Sequence, residues 1–421
     1  MTLSNSQLTN NDKGRQLQIF VRVWATFGLL LFASTWKLWT PQSEFPQIPF
    51  FEFLVNVPGV IDWFASAIVG LSLITVILAR TNRAEMVSMW SFICAASVLI
   101  ALNQHRLQPW AYQFVVFAII IATSKPKTAF LSMRWIVISI YAYSAISKFD
   151  YQFIHTVGQT MLSTLATFAG QDTSTWPDGL KQSLAMGFPA SELLIGIGLA
   201  IPKTRRLAMT AAVLMHAILV LVLWNLNHST GVLLWNLFFI AQAVLLFSVN
   251  RIKTNSSVDV EPVPTKQQRW QHGFVPSMVT LFVILFPATE PLRIYDHWPA
   301  WQVYAPRTSR ARFEQFNAMI EPIPNVETPW NDLDSWSNTT LRVPVYPQAR
   351  FQIGVLMAVQ QRSAVAASRS IEVLSQSGRW GGNRSTTMLT GSDQLKMRAS
   401  RFWLNTTARS FGKHSTKPSD N

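Results

Sequence analysis

Cysteine is almost missing from this chain. Cys94 is the only one in 421 residues, so neither an intrachain disulfide nor a thiolate metal site can be built. Charge is scarce too, at 13% of residues, which is little for a solvated surface. Several short catalytic signatures are absent. There is no nucleotide-binding glycine loop, no nucleophile elbow and no pair of metal-binding histidines at i, i+4. The paired broken helices of an inverted-repeat transporter are not visible either. Acidic residues are the rarer sign, 21 against 35 Lys and Arg, for a net charge of +14. No nucleic-acid motif accompanies that excess, so a nucleic-acid partner is not expected.

Apolar residues are what the chain has in abundance. They make up 49% of it, with 17 Trp and 27 Phe that suit lipid-facing surfaces and interfacial belts. Nine apolar stretches read as spans, at 17–36, 58–79, 86–102, 110–123, 129–147, 188–201, 207–224, 231–249 and 274–288. The fourth, sixth and ninth are short of the roughly 20 residues that cross a bilayer. They must recruit flanking polar residues, or tilt less and thin the membrane. The first span has the length of a retained helix and ends in Trp36-Lys37-Leu38-Trp39, an interfacial anchor more than a cleavage site.

Basic residues alternate between the gaps. The N-terminal arm and every second gap carry Lys13, Arg15, Arg80, Arg83, Lys125, Lys127, Arg134, Lys203, Arg205, Arg206, Arg251, Lys253, Lys266 and Arg269. The other gaps hold only Lys37, Arg106, Lys148 and Lys181. By the positive-inside rule this puts the arm 1–16 in the cytoplasm and residues 289–421 outside. The excess at the inner face meets anionic lipid.

The longest outer gap, 148–187, opens with a helically spaced segment from Tyr151 to Ala169 that reads as an interfacial or re-entrant lid, followed by a loop over Gly170–Gly179. The aromatic segment 44–57 reads as a second interfacial piece, and 254–267 as a cytoplasmic linker. After Pro287 the chain turns polar. Leu341–Tyr346, Phe351–Val359 and Ser370–Leu374 have the β-branched and aromatic content of strands. The expected architecture is an all-α polytopic membrane bundle of about nine helices, residues 17–288. A small α+β or β-rich extracytoplasmic domain, residues 289–421, is expected to pack on its outer face.

Three polar groups gather at that outer face, and ionisable residues there mark a site or a structural pair. The turn Asn103-Gln104-His105-Arg106 offers a histidine able to act as acid, base or donor; Asn and Gln could equally be satisfying the turn's own backbone. Tyr141, Ser144 and Lys148 fall at i, i+3 and i+7 on one stripe of the fifth helix. Desolvation would make Lys148 a plausible base; the alternative is a snorkelling lysine paired with Asp150. His216 lies inside the seventh span, followed by Asn225 and His228, and it must face a partner or a cavity. Glu192 near the start of the sixth span complements a helix N-terminus.

These residues resemble the horizontally transferred transmembrane domain shared with vitamin K-dependent γ-carboxylase, over roughly 17–250. Tyr141 to Asp150 looks like that family's aromatic–small–x–Lys–hydrophobic segment, and the Asn103-Gln104-His105 turn looks like its Asn–x–His turn. Glu192 to Leu194, Pro202 to Arg206 and His216 follow in the family's order. The resemblance implies Lys148 as the base that deprotonates a hydroquinone and His105 as the stabiliser of the developing charge. Asn103, Tyr141, Ser144, Glu192, His216, Asn225 and His228 would be pocket partners. Two departures stand out: the tail is smaller than the carboxylase outer domain, and Ser147 replaces a second basic residue. DoxX- and MauE-like membrane proteins, which also pair short-turn helices around quinone or redox work, are near neighbours by pattern.

The leading expectation is a multi-pass inner-membrane protein with quinone-linked, carboxylase-like or redox chemistry at an outer pocket, its cofactor a quinone or hydroquinone. The alternatives are a non-catalytic membrane component that assembles or anchors an exported redox partner, and, last, a transporter. Its partners are the lipid bilayer and an exported protein.

Overall fold

Each apolar stretch forms a helix. The computed structural model describes residues 5–248, 273–313, 332–362 and 370–409. The expected linker 254–267 and the basic residues Arg251, Lys253, Lys266 and Arg269 lie outside them. The bundle helices are α1 (Asn5–Ser34), α3 (Val60–Leu78), α4 (Asn82–Leu102), α5 (Pro109–Thr123), α6 (Pro126–Lys148), α9 (Asp178–Ala200), α10 (Arg205–Asn225), α11 (Thr230–Phe247) and α12 (Val275–Leu285). Short helices α2 (Trp36–Trp39), α7 (Tyr151–His155) and α8 (Val157–Phe168) lie between them. Local chemistry sets several of these ends. The Thr81 hydroxyl accepts from the Ala84 N–H at the start of α4, and Pro109 and Pro126 open α5 and α6, where a missing N–H costs nothing.

Eight of the bundle helices are long and apolar enough to cross a membrane, and α5 is shorter. Its 15 residues need no thinning of the bilayer, because α5 is the central helix. Phe114, Phe117, Ala118 and Ile120 are buried on all sides of it, as expected of a helix that is apolar all round. The sixth stretch, by contrast, is not short. Its helix begins upstream at Asp178, within the region read as loop, and carries Pro189 inside. The ninth continues as a 3-10 turn, Phe286–Leu292. Around this core α3 packs on α4, α6 on α9, α10 on α9 and α11, and α1 on α3 and α11. Val60, Phe64, Leu71, Leu194, Leu207, Leu214 and Leu221 stay exposed on the outside of the bundle, an apolar surface that suits lipid and not water.

The tail caps one end of the bundle. It holds α13 (Asp332–Leu341), α14 (Ala349–Arg362), α15 (Ser392–Ala399) and an antiparallel sheet of β1 (Arg310–Phe313), β2 (Ile371–Leu374) and β3 (Thr386–Leu389) in that order. Arg310 pairs with Leu374 and Ile371 with Leu389. Of the three expected strands only 370–374 is one. Leu341–Tyr346 leaves α13 as irregular chain, and Phe351–Val359 lies within α14. There Phe351, Ile353, Val355 and Leu356 are all buried, and a short continuous apolar run of that kind has the same pattern as a buried strand.

Main-chain bonds tie the cap to the bundle: Tyr151 N–H donates to Arg379 C=O at 2.7 Å, Asn405 N–H to Phe50 C=O at 3.1 Å and Arg409 N–H to Gln47 C=O at 2.9 Å. The segment 44–57 is therefore a docking rail for the C-terminal strand of chain, with one 3-10 turn, Glu52–Leu54. A charged knot completes the attachment. Asp62 of α3 receives Arg106 at 2.5 Å and Arg409 at 2.7 Å, and all three side chains are fully buried. Two guanidiniums share one carboxylate, and carbonyls of Leu38, Leu99 and Val57 take further donors. The uncapped end carries Arg80, Arg83, Lys125, Lys127, Lys203, Arg205 and Arg206.

Candidate functional site

The α6–α9 contact builds the site. Gly196 brings the helices close, since a Cβ there would lie 3.0 Å from that of Tyr141. The stripe Tyr141, Ser144 and Lys148 is buried on this side of α6. Lys148 Nζ donates to Ser144 Oγ at 2.7 Å and to Glu192 Oε2 at 2.6 Å. Glu192 stands mid-helix and not at a helix start, so its role as a partner to the N-terminal dipole is corrected: it is the counter-charge of Lys148. Asp150, the alternative partner, instead caps α7 by accepting from Phe153 N–H at 3.0 Å.

A second polar chain lies alongside. Asn236 Nδ2 donates to Val232 C=O at 2.9 Å, which fixes the amide so that its Oδ1 faces His216 Nδ1, also at 2.9 Å. His216 Nδ1 therefore donates, and Nε2 accepts from the Tyr141 hydroxyl at 2.8 Å. Phe239 stacks on the imidazole at 4.7 Å. The run Tyr141–His216–Asn236–Val232 is thus satisfied link by link, and such chains polarise each other in a low dielectric.

Both groups open on one cavity of about 80 Å³ whose remaining walls include Ile140, Phe153, Met161, Phe188, Met215 and Leu219. Phe153 and Met161 come from α7 and α8, the segment expected to form a lid. Lys148 and Glu192 keep side-chain exposures of only 10% and 14%, so the pair meets water sparingly. The arrangement can pass a proton between Nζ and Ser144 Oγ or between Nζ and Glu192 Oε2.

The structure does not bring His105 to this cavity, so the expectation of one shared outer pocket is corrected for that residue. His105 is buried between the Phe45 and Phe351 rings, at 5.3 and 5.1 Å, under the cap. Its Nε2 donates to Pro344 C=O at 2.9 Å, and its Nδ1 has no hydrogen-bond partner among the described residues. Burial, opposed by the Pro344 bond and helped by the nearby Arg106 charge, pushes its pKa down to about 4. Asn103 serves the turn, its Oδ1 accepting from His105 N–H at 3.2 Å. Asn225 is an exposed residue ending α10 and lines neither cavity described here. His228 lines a larger neighbouring cavity, its ring edge-on to Tyr304. Val303 and Tyr304 were not foreseen; they sit in irregular chain, where no periodicity or motif marks them.

The family model of the methylamine utilisation protein MauE matches residues 126–233. That stretch runs from the start of α6 into α11 and contains Tyr141, Ser144, Lys148, Glu192 and His216. Neither a curated protein nor a solved structure matches the chain.

Proposed function

We propose that this multi-pass membrane protein binds a quinone or hydroquinone at the Lys148–Glu192 cavity and that Lys148 acts there as the proton-accepting base. The observation that carries the reading is a lysine in contact with both a hydroxyl and a carboxylate, at a cavity between helices that aromatic and aliphatic side chains also line. The donor set fits such a ligand: Nζ and Ser144 Oγ for a ring oxygen, and aromatic and aliphatic walls for the ring. A quinone supplies two-electron, two-proton redox chemistry when bound. Lys148 would take a proton from a bound hydroxyl, Glu192 would hold the resulting ammonium in place, and the Tyr141–His216–Asn236 chain would fix the adjoining wall. Fixed dipoles in a dry cavity act more strongly than in water. His105 has no part in this proposal, because it lies under the cap. The Lys/Arg alternation supports an orientation with the cap outside the plasma membrane.

A second reading is a non-catalytic membrane component serving an exported redox partner. It is favoured by the match to a family named for methylamine utilisation. Lys148→Arg separates the two. A base must have an accessible neutral form, which guanidinium lacks, whereas a structural ion pair accepts Arg. We expect quinone to co-purify with the wild type and to be depleted in Lys148→Ala. We expect Lys148→Arg to abolish quinone-dependent activity with its thermal midpoint unchanged. Full function in Lys148→Arg would hand the lead to the second reading.

A further inference from the structure

The Lys148 cavity has a neighbour. Between the capped end of the bundle and the tail lies a second cavity of about 510 Å³, whose lining includes Trp110, Thr160, His228, Gln302 and Asn338. Met161, Trp235, Val303 and Tyr304 line both cavities, so these four side chains form the junction between them. The first cavity is small for a ring by itself. Its volume of about 80 Å³ is below the roughly 150 Å³ of an engineered hole that admits benzene. A ring that reaches Lys148 must therefore extend across the junction.

Tyr304 is the unusual member of that junction. Its backbone has φ 59°, a left-handed conformation seldom held by an aromatic residue. Its hydroxyl is buried with no hydrogen-bond partner among the described residues. A buried tyrosine hydroxyl ordinarily has one. Burial also pushes the pKa of the phenol up, so the group remains an O–H donor at any working pH. A strained backbone thus holds an unused donor at the point where the two cavities meet.

We propose that the two cavities are one bipartite ligand site, entered from beneath the cap, and that Tyr304 positions the ligand by donating its hydroxyl to an oxygen acceptor on the ring. This rests on the quinone reading and deepens it. A quinone presents acceptor oxygens on opposite edges of one ring, which suits Lys148 and Ser144 at one end and Tyr304 at the junction. The larger cavity is the entry chamber, and Tyr304 is a positioning residue with no share in the proton transfer.

The test uses the full-length protein in detergent with menadione, a naphthoquinone without an isoprenoid tail, and measures both affinity and association rate. Tyr304→Phe removes only the hydroxyl and should weaken binding about three- to tenfold, the usual worth of one hydrogen bond. Thr160→Trp, on an exposed residue lining the larger cavity, should slow association. Unchanged affinity in Tyr304→Phe, with Lys148→Ala weakened, overturns the role of Tyr304 and leaves the Lys148 reading standing. Weakened binding in Tyr304→Phe, with Lys148→Ala at wild-type affinity, supports the bipartite site and removes Lys148 from ligand contact. An unchanged association rate in Thr160→Trp overturns entry from beneath the cap. No binding by the wild-type protein overturns both proposals.

Discussion

His105 shows how a residue of catalytic type becomes structural. Its Nε2–H is committed to Pro344 C=O and its ring is held between two phenylalanines, so a proton arriving at Nδ1 would be a charge among apolar walls beside Arg106. Because burial lowers the folded pKa to about 4, the unfolded chain binds the proton first, near the ordinary value of about 6.5. The contribution of His105 is therefore whole above pH 6.5 and drains away as the pH falls toward 4. The slope is about 1.4 kcal/mol per pH unit between those limits. Thermal unfolding of wild type and His105→Gln between pH 7.5 and 4.5 checks this. The wild type should lose stability faster on acidification, and parallel curves would refute the assignment. The Lys148 stripe was legible because i, i+3, i+7 spacing fixes a helix face whatever surrounds it. Its ion pair was not, although the resemblance named Glu192 as a pocket partner. Glu192 lies 44 residues away, and its role depended on a helix start at Asp178 that apolar content alone did not reveal.

At the level of elements, α14 is where composition misled most. Phe351 to Val359 is rich in β-branched and aromatic residues, yet it is a helix because the sheet, α15 and the C-terminal chain enclose it. Gly354 is the point of closest approach: a Cβ there would lie 2.5 Å from the Thr406 carbonyl oxygen. Two effects compete in Gly354→Ala. Alanine in a helix interior gains up to about 1 kcal/mol in propensity, whereas overpacking against fixed backbone costs about 1–3 kcal/mol. The contact is with main chain and cannot rotate away, so the clash wins and the variant is less stable. It should also free the chain near Arg409, which hydrogen-deuterium exchange at residues 404–409 would report. A Gly354→Ala protein as stable as wild type, with unchanged exchange there, would show that the helix and the terminal segment can part without loss. The strands β1 and β3 were invisible for a related reason. They are four residues each, as β2 is, but lack the Ile and Val that mark β2, and they pair on either side of it.

For the molecule as a whole, the bundle was readable span by span, and the cap only as a small α+β unit whose internal elements were mostly missed. Apolar length and alternating basic gaps depend on the bilayer, a solvent that acts on every span in the same way. The tail folds by contacts specific to this chain, such as Arg409 with Asp62, and no periodicity announces those. The same alternation makes the last prediction. Helices α1 to α12 run up and down so that Lys203 is exposed at the uncapped end, while Trp403 is fully exposed on the cap. Cys94 is replaced by alanine to remove the only native thiol, and single cysteines are placed at 203 and 403, both outside the buried knot. An impermeant maleimide applied to intact spheroplasts should label Trp403→Cys and spare Lys203→Cys until the membrane is opened. The reversed pattern would keep the fold and invert its orientation, overriding fourteen basic residues in the arm and alternate gaps against four in the rest. Labelling of both positions from outside would mean that the two ends of the bundle do not face opposite sides of one membrane, and the spanning arrangement itself would fail.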